Sequence, residues 1–139
     1  MKQKISYKDA GVDIEKADQA IDSSKTAIKE TFTKDVLSSV GGFGSMYNLK
    51  SLLKNYDEPI MVQSIDGVGT KMSVAQKCRD FRSIGIDLVS ACCNDVAAVG
   101  AKPLTFLDYI ASDSLSQKTV SEIIKSVAGE CKKIGVSLV

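Results

Sequence analysis

IGIDLVSACCNDVAAVGAKPLTFLDYIA, residues 84–111, contains the transition on which the fold turns. Apolar residues cover nearly the whole helical circumference over 84–99, which predicts a buried helix ended by Gly100 and Pro103. Residues 104–111 are rich in apolar and aromatic side chains and read as a buried strand. The same order recurs downstream. Val120, Ile123, Ile124, Val127, Cys131 and Ile134 share one helical stripe, Gly135 occupies the C-terminal cap position, and residues 136–139 begin another strand. This alternation predicts an α+β fold, a mixed β-sheet with helices packed on it.

Upstream, Asp13 reads as an N-cap, and Ile14, Ala17, Ile21, Ala27, Ile28 and Phe32 recur close to the helical period, predicting one amphipathic helix over 14–32. GGFG at 41–44 breaks that pattern. A short mixed apolar segment at 46–53 precedes the turn residues Asp57, Glu58 and Pro59, and a strand is expected over 60–65. DGVGTK, residues 66–71, follows directly, and residues 72–78 restart a short helix. With 139 residues, 44% of them apolar, the chain is long enough to bury roughly two-thirds of its unfolded surface in one compact domain. It stops inside an apolar run, an ending that suggests a piece of a longer protein.

Eighteen basic and seventeen acidic residues are interspersed, so electrostatics give no reason to expect a nucleic-acid or membrane partner. No apolar stretch approaches a membrane span, because Asp87, Asn94 and Asp95 interrupt the most hydrophobic region. Cys78, Cys92, Cys93 and Cys131 show no C-x-x-C spacing and no secretory context, which points to a reducing cytoplasm and to buried small hydrophobes rather than to redox chemistry. Histidine is absent, which excludes a Ser-His-Asp triad, a Cys-His pair and a histidine-ligated zinc within this chain. Its chemistry must rest on carboxylates, lysines, amides, hydroxyls, backbone groups and hard metal ions.

DGVGTK places an acid, two glycines, a hydroxyl and a lysine at the C-terminal end of an expected strand, where small residues let backbone N–H groups approach phosphate oxygens. It lacks the spacing of a Walker A loop, and GGFG does not extend to a dinucleotide G-x-G-x-x-G pattern. Taken alone, each glycine motif is as well read as an ordinary turn. Asp87 and Asn94, seven residues apart, lie on nearly the same helical face with Ser90 and Ala91 between them. Asp95 adds a carboxylate among Val, Ala and Cys, where an unpaired charge is costly and a hard metal is a natural partner. Asp87 is equally well read as capping or pairing locally.

YKDAGVD at 7–13, GGFG at 41–44, DGVGTK at 66–71, GIDLVSACCND at 85–95, GAKP at 100–103 and FLDY at 106–109 occur in the order found in the aminoimidazole ribonucleotide synthetases (phosphoribosylformylglycinamidine cyclo-ligases), which the chain resembles over nearly its whole length. YKDAGVD separates this family from selenophosphate synthetase, thiamine monophosphate kinase and formylglycinamide ribonucleotide amidotransferase, which share the acidic DG-type loop and the ND helix.

The resemblance implies an N-terminal ATP-binding and dimerisation domain over 1–139, whose sheet pairs with that of a second subunit in an eight-stranded barrel. It implies a cytoplasmic homodimer acting on formylglycinamidine ribonucleotide, closing its ring to aminoimidazole ribonucleotide with release of ADP and phosphate. ATP would be held by Lys25 on the first helix, by Gly41, Gly42 and Gly44, and by Gly67, Gly69 and Thr70. Mg²⁺ would sit on Asp66 and Asp95 with Asn94 assisting, and Asp66 and Lys71 would be the catalytic pair, Lys71 neutralising phosphate oxygens. Ser38 and Ser39 replace a common glycine pair, Val99 and Lys102 a common Gln and Glu, and the family's GGET-type motif and C-terminal domain are absent. Two other readings are an ATP-using relative in the same superfamily and an isolated dimerising nucleotide-binding module without catalysis.

Overall fold

The computed structural model describes residues 11, 13–114 and 116–139. Its elements in chain order are α1 (Ile14–Asp22), α2 (Lys25–Lys29), α3 (Lys50–Leu53), α4 (Lys71–Cys78), α5 (Ile84–Ala98), β1 (Thr105–Phe106), α6 (Gln117–Ile134) and β2 (Ser137–Leu138). The YKDAGVD motif lies outside the described residues except for Gly11 and Asp13.

The core is a β1–α6–β2 unit with α5 laid against α6. α6 has clear local signals at both ends. The Ser116 hydroxyl accepts the Thr119 N–H at its start, Lys132 and Lys133 sit in its last turn, and Gly135 adopts φ +70° beyond it. One stripe of α6, including Ile123, Val127, Ala128 and Cys131, is buried against α5 residues Ile84, Val89 and Cys92 and strand residues Phe106 and Leu138. β1 and β2 run parallel, with Thr105 opposite Ser137 and Phe106 opposite Leu138, and α6 makes the crossover between them. The Thr31 hydroxyl accepts the Leu138 N–H at 2.9 Å, and the Ser137 hydroxyl donates to the Thr31 carbonyl at 3.1 Å, fastening β2 to the turn after α2.

The single helix expected over 14–32 is two helices. Ser23 and Ser24 form a turn between them, and both hydroxyls donate back to the Ala20 carbonyl, at 2.8 and 2.9 Å. Both also meet the Ser121 hydroxyl on α6, at 3.0 and 3.2 Å. Serine competes for backbone groups in this way, and here α6 rewards the break with a second set of bonds. Ser24 is 1% exposed. Ser24→Ala is therefore expected to destabilise the fold by about 1–2 kcal/mol, measured as a lowered denaturant midpoint with an unchanged slope.

The expected strand over 60–65 is extended chain without ladder bonds among the described residues, and Ile60 and Ile65 are 87% and 97% exposed. The expected buried strand over 104–111 is confined to Thr105–Phe106, with Leu107 and Tyr109 facing solvent. Among the described residues the sheet is thus a two-stranded parallel pair rather than a larger mixed one, with an isolated antiparallel bridge, Val36 to Tyr47, elsewhere. Both segments have strand composition, but composition supplies no partner edge. α5 keeps the expected length yet is buried on one side only, since Ile86, Asn94 and Asp95 are exposed. The fold class remains α+β.

Candidate functional site: an acidic glycine loop along helix α5

Residues 64–71 run antiparallel along one side of α5, and three side-chain contacts set the register. The Ser64 hydroxyl donates to Asp95 Oδ2 at 3.3 Å, the Cys92 thiol donates to the Asp66 carbonyl at 3.9 Å, and Lys71 Nζ donates to Asp87 Oδ1 at 2.9 Å. Asp87, Ala91 and Asp95 fall at four-residue spacing and so line one face of α5, with Asn94 beside them. The small Ser90 and Ala91 leave room for the loop. Val68 and Met72 pack against the hydrophobic core and anchor it from below. Gly69 adopts φ +68°, a turn that a side chain would strain, and this turn feeds the chain into α4 at Lys71.

Of the residues expected to act together, Asp66 and Lys71 lie on the loop and Asn94 and Asp95 on the helix it runs along, but no hydrogen bond joins these four to one another among the described residues. Asp66 is exposed, and its Oδ1 accepts the Gly67 N–H at 2.7 Å. Asp95 is exposed rather than buried among apolar groups, so it has no need of a charge partner for folding. Gly67 and Thr70 lie on the exposed side of the same loop. Lys25 pairs instead with Asp22 at 2.5 Å, on the helix before it. Gly41, Gly42 and Gly44 lie in an exposed loop between Val36 and Tyr47, closed by the Leu37 N–H donating to the Met46 carbonyl at 2.8 Å. Neither Lys25 nor GGFG is hydrogen-bonded to the acidic loop among the described residues.

Two contacts were not legible in the sequence. The first is Ser64 on Asp95, for which no motif exists. The second is Lys71 on Asp87, foreshadowed only by the alternative that Asp87 pairs locally. The two side chains border a cavity of about 340 Å³ between α4 and α5, which Val74, Cys78 and Ser83 also line.

No group of three or more Cys, Asp or Glu side chains able to hold a metal is formed among the described residues. The donors on the α5 face are two exposed carboxylates and an amide, all hard oxygen ligands. Such a set suits a cation that retains waters and shares ligand phosphates, as Mg²⁺ does, rather than an all-protein cage. Two of the cysteines are held as thiols. Burial pushes the Cys131 thiol up to about 12, reinforced by the negative charges of Cys93, Glu130 and Asp108, and burial raises Cys93 as well, with Cys92 adding to it. No helix among the described residues is long and apolar enough to cross a membrane.

The family of AIR synthase related proteins, N-terminal domain, matches residues 51–139, which include the whole acidic loop and α5. The chain is 43% identical over 135 residues to a phosphoribosylformylglycinamidine cyclo-ligase of Anaeromyxobacter dehalogenans (strain 2CP-C), a match covering 97% of this chain and 39% of that protein. It is 42% identical over 139 residues to the protein of the same name from Desulfatibacillum aliphaticivorans, covering 100% of this chain and 40% of the relative. A third, from Xylella fastidiosa (strain Temecula1 / ATCC 700964), is 42% identical over 135 residues, covering 97% and 38%. The chain thus spans about two-fifths of the length of these relatives.

Proposed function

We propose, since this chain belongs to the AIR synthase related proteins as their N-terminal domain, that it is the nucleotide-binding and dimerisation part of a phosphoribosylformylglycinamidine cyclo-ligase. The observation that supports this reading is the alignment of residues 64–71 along α5, which lays the acidic glycine loop beside the helix segment that carries Asp87, Asn94 and Asp95. In the proposed reaction the γ-phosphate of ATP passes to the formyl oxygen of formylglycinamidine ribonucleotide. The amidine nitrogen of the same molecule then attacks the activated carbon, and phosphate leaves with closure of the imidazole ring.

An amide carbonyl is a poor electrophile because resonance protects its carbon and the oxygen leaves badly, so phosphorylation does the essential activation. The remaining work is alignment and charge neutralisation, which needs no histidine. Lys71 holds phosphate oxygens, and the backbone N–H groups of Gly69 and Thr70 approach them, joined by Gly67 once its N–H gives up the Asp66 carboxylate. Asp66 and Asp95, with Asn94, would hold Mg²⁺, which when bound supplies neutralising charge to the phosphates. Lys25 and the GGFG glycines Gly41, Gly42 and Gly44 belong to the same nucleotide site in this proposal.

The apolar side chains left in solvent on the two unpaired extended segments, Ile60, Met61, Leu107 and Tyr109 among them, support pairing with a second copy into an eight-stranded barrel, which would leave no exposed edge. A cytoplasmic site of action agrees with the soluble substrates of this reaction. The test is ADP release from MgATP by the protein that carries this chain over the full length of its relatives. Release that depends on formylglycinamidine ribonucleotide is expected. Nucleotide binding without any substrate-dependent ADP would favour a non-catalytic module, and absence of both would overturn the proposal.

A further inference from the structure

Lys71 occupies the first position of α4, and the preceding Thr70 makes no side-chain capping bond. A helix N-terminus is the wrong end for a cation, because the unsatisfied N–H groups already carry partial positive charge. Asp87 supplies the missing counter-charge from the first turn of α5, where a carboxylate is electrostatically favoured. The ion pair is 2.9 Å long, with Lys71 64% and Asp87 34% exposed at the side chain. Asp87 lies eight residues before Asp95 on α5, a separation of about 12 Å at the helical rise. Lys71 in this pose therefore points toward the α4 end of the face, away from the end where residues 64–66 meet Cys92 and Asp95.

We propose that Asp87 is the resting counter-ion of Lys71, and that a nucleotide phosphate binds by exchange: the ammonium gives up the Asp87 carboxylate as it takes a phosphate oxygen. This inference rests on the proposed role of Lys71 in holding phosphate. Asp87 is then a positioning residue that opposes binding. Its pairing keeps Lys71 compensated while the site is empty, and the strength of that pairing is subtracted from the affinity for phosphate. An exposed pair of this kind corresponds to about a 1.5- to 5-fold effect on an equilibrium constant. The carboxylate's repulsion of an incoming anion acts in the same direction.

The experiment compares MgATP dissociation constants of the chain, of Asp87→Asn, of Lys71→Ala and of the double variant, by calorimetry at low and high salt. Asp87→Asn is expected to bind MgATP about two- to fivefold more tightly at low ionic strength, with the gain shrinking at about 0.5 M salt. Asp87→Glu, which keeps the charge, should stay near the parent affinity. In the Lys71→Ala background the Asn substitution should give a clearly smaller gain, because the ion pair is gone and only the carboxylate's repulsion of the anion is relieved. A purely structural Asp87 would give weaker binding with a lowered melting temperature, and that result would overturn the exchange. So would a gain of equal size with and without Lys71. Should Asn disturb the first turn of α5, Asp87→Ser makes the same comparison. A parent chain that binds no MgATP sinks the nucleotide-site reading itself and this inference with it, whereas a parent that binds and an Asn variant that matches it sinks the exchange alone.

Discussion

Gly85→Ala is expected to lower the melting temperature by about 10 °C or more, because an added methyl meets closer neighbours there than at any other glycine among the described residues. A Cβ on Gly85 would lie 2.2 Å from the Val127 backbone nitrogen and 2.5 Å from the Ser126 carbonyl carbon. These are backbone atoms in the middle of α6, so no side-chain rotation relieves the clash. The two helices must separate, and the Ile84, Val89, Val127 and Cys131 contacts at their crossing loosen together. Gly129 on α6 is the internal control, because its added Cβ meets nothing within 4 Å. Gly129→Ala should raise stability by roughly 0.5–1 kcal/mol, the usual gain of alanine over glycine inside a helix. Thermal melts of the two variants beside the parent would decide the matter. A Gly85→Ala protein melting within a degree or two of the parent would mean that α5 and α6 do not cross as closely as described.

Asp66→Asn and Asp95→Asn are expected to weaken Mg²⁺-dependent nucleotide binding by at least about tenfold each, while the melting temperature moves little. Both carboxylates are exposed, and each makes one weak or local contact in the free chain, to Gly67 and Ser64 respectively. Folding therefore gains little from their charge, and surface carboxylates of this kind contribute little to stability. A hard cation shared with phosphates depends on them far more, since the amide oxygen left by the substitution is neutral. Titrating MgATP into each variant, with and without the metal, separates the two effects. Unchanged affinity and unchanged Mg²⁺ dependence in both variants would remove these residues from the metal site.

Much of the fold was legible from residue types alone. The stripe from Val120 to Ile134, with Gly135 after it, specifies α6 by local rules that tertiary contacts only reinforce. The length of α5 and the start of β2 follow from the same kind of signal. That DGVGTK and the ND end of α5 belong together was implied by the family resemblance and not by residue types, since each glycine motif taken alone is as well read as an ordinary turn.

What the sequence left open depends on partners distant along the chain. Whether residues 14–32 continue as one helix is decided by Ser121, nearly a hundred positions away, whose hydroxyl stabilises the turn at Ser23 and Ser24. Whether 60–65 and 104–111 become strands depends on an available edge, which strand composition does not supply. The role of Asp87 was undetermined for the same reason. Its spacing from Asn94 describes a face of α5, but only the path of residues 64–71 decides that the group arriving opposite it is the Lys71 ammonium. Helical periodicity and caps act over a few residues and are written locally. Hydroxyl networks, strand edges and ion pairs are fixed by segments that meet only after folding.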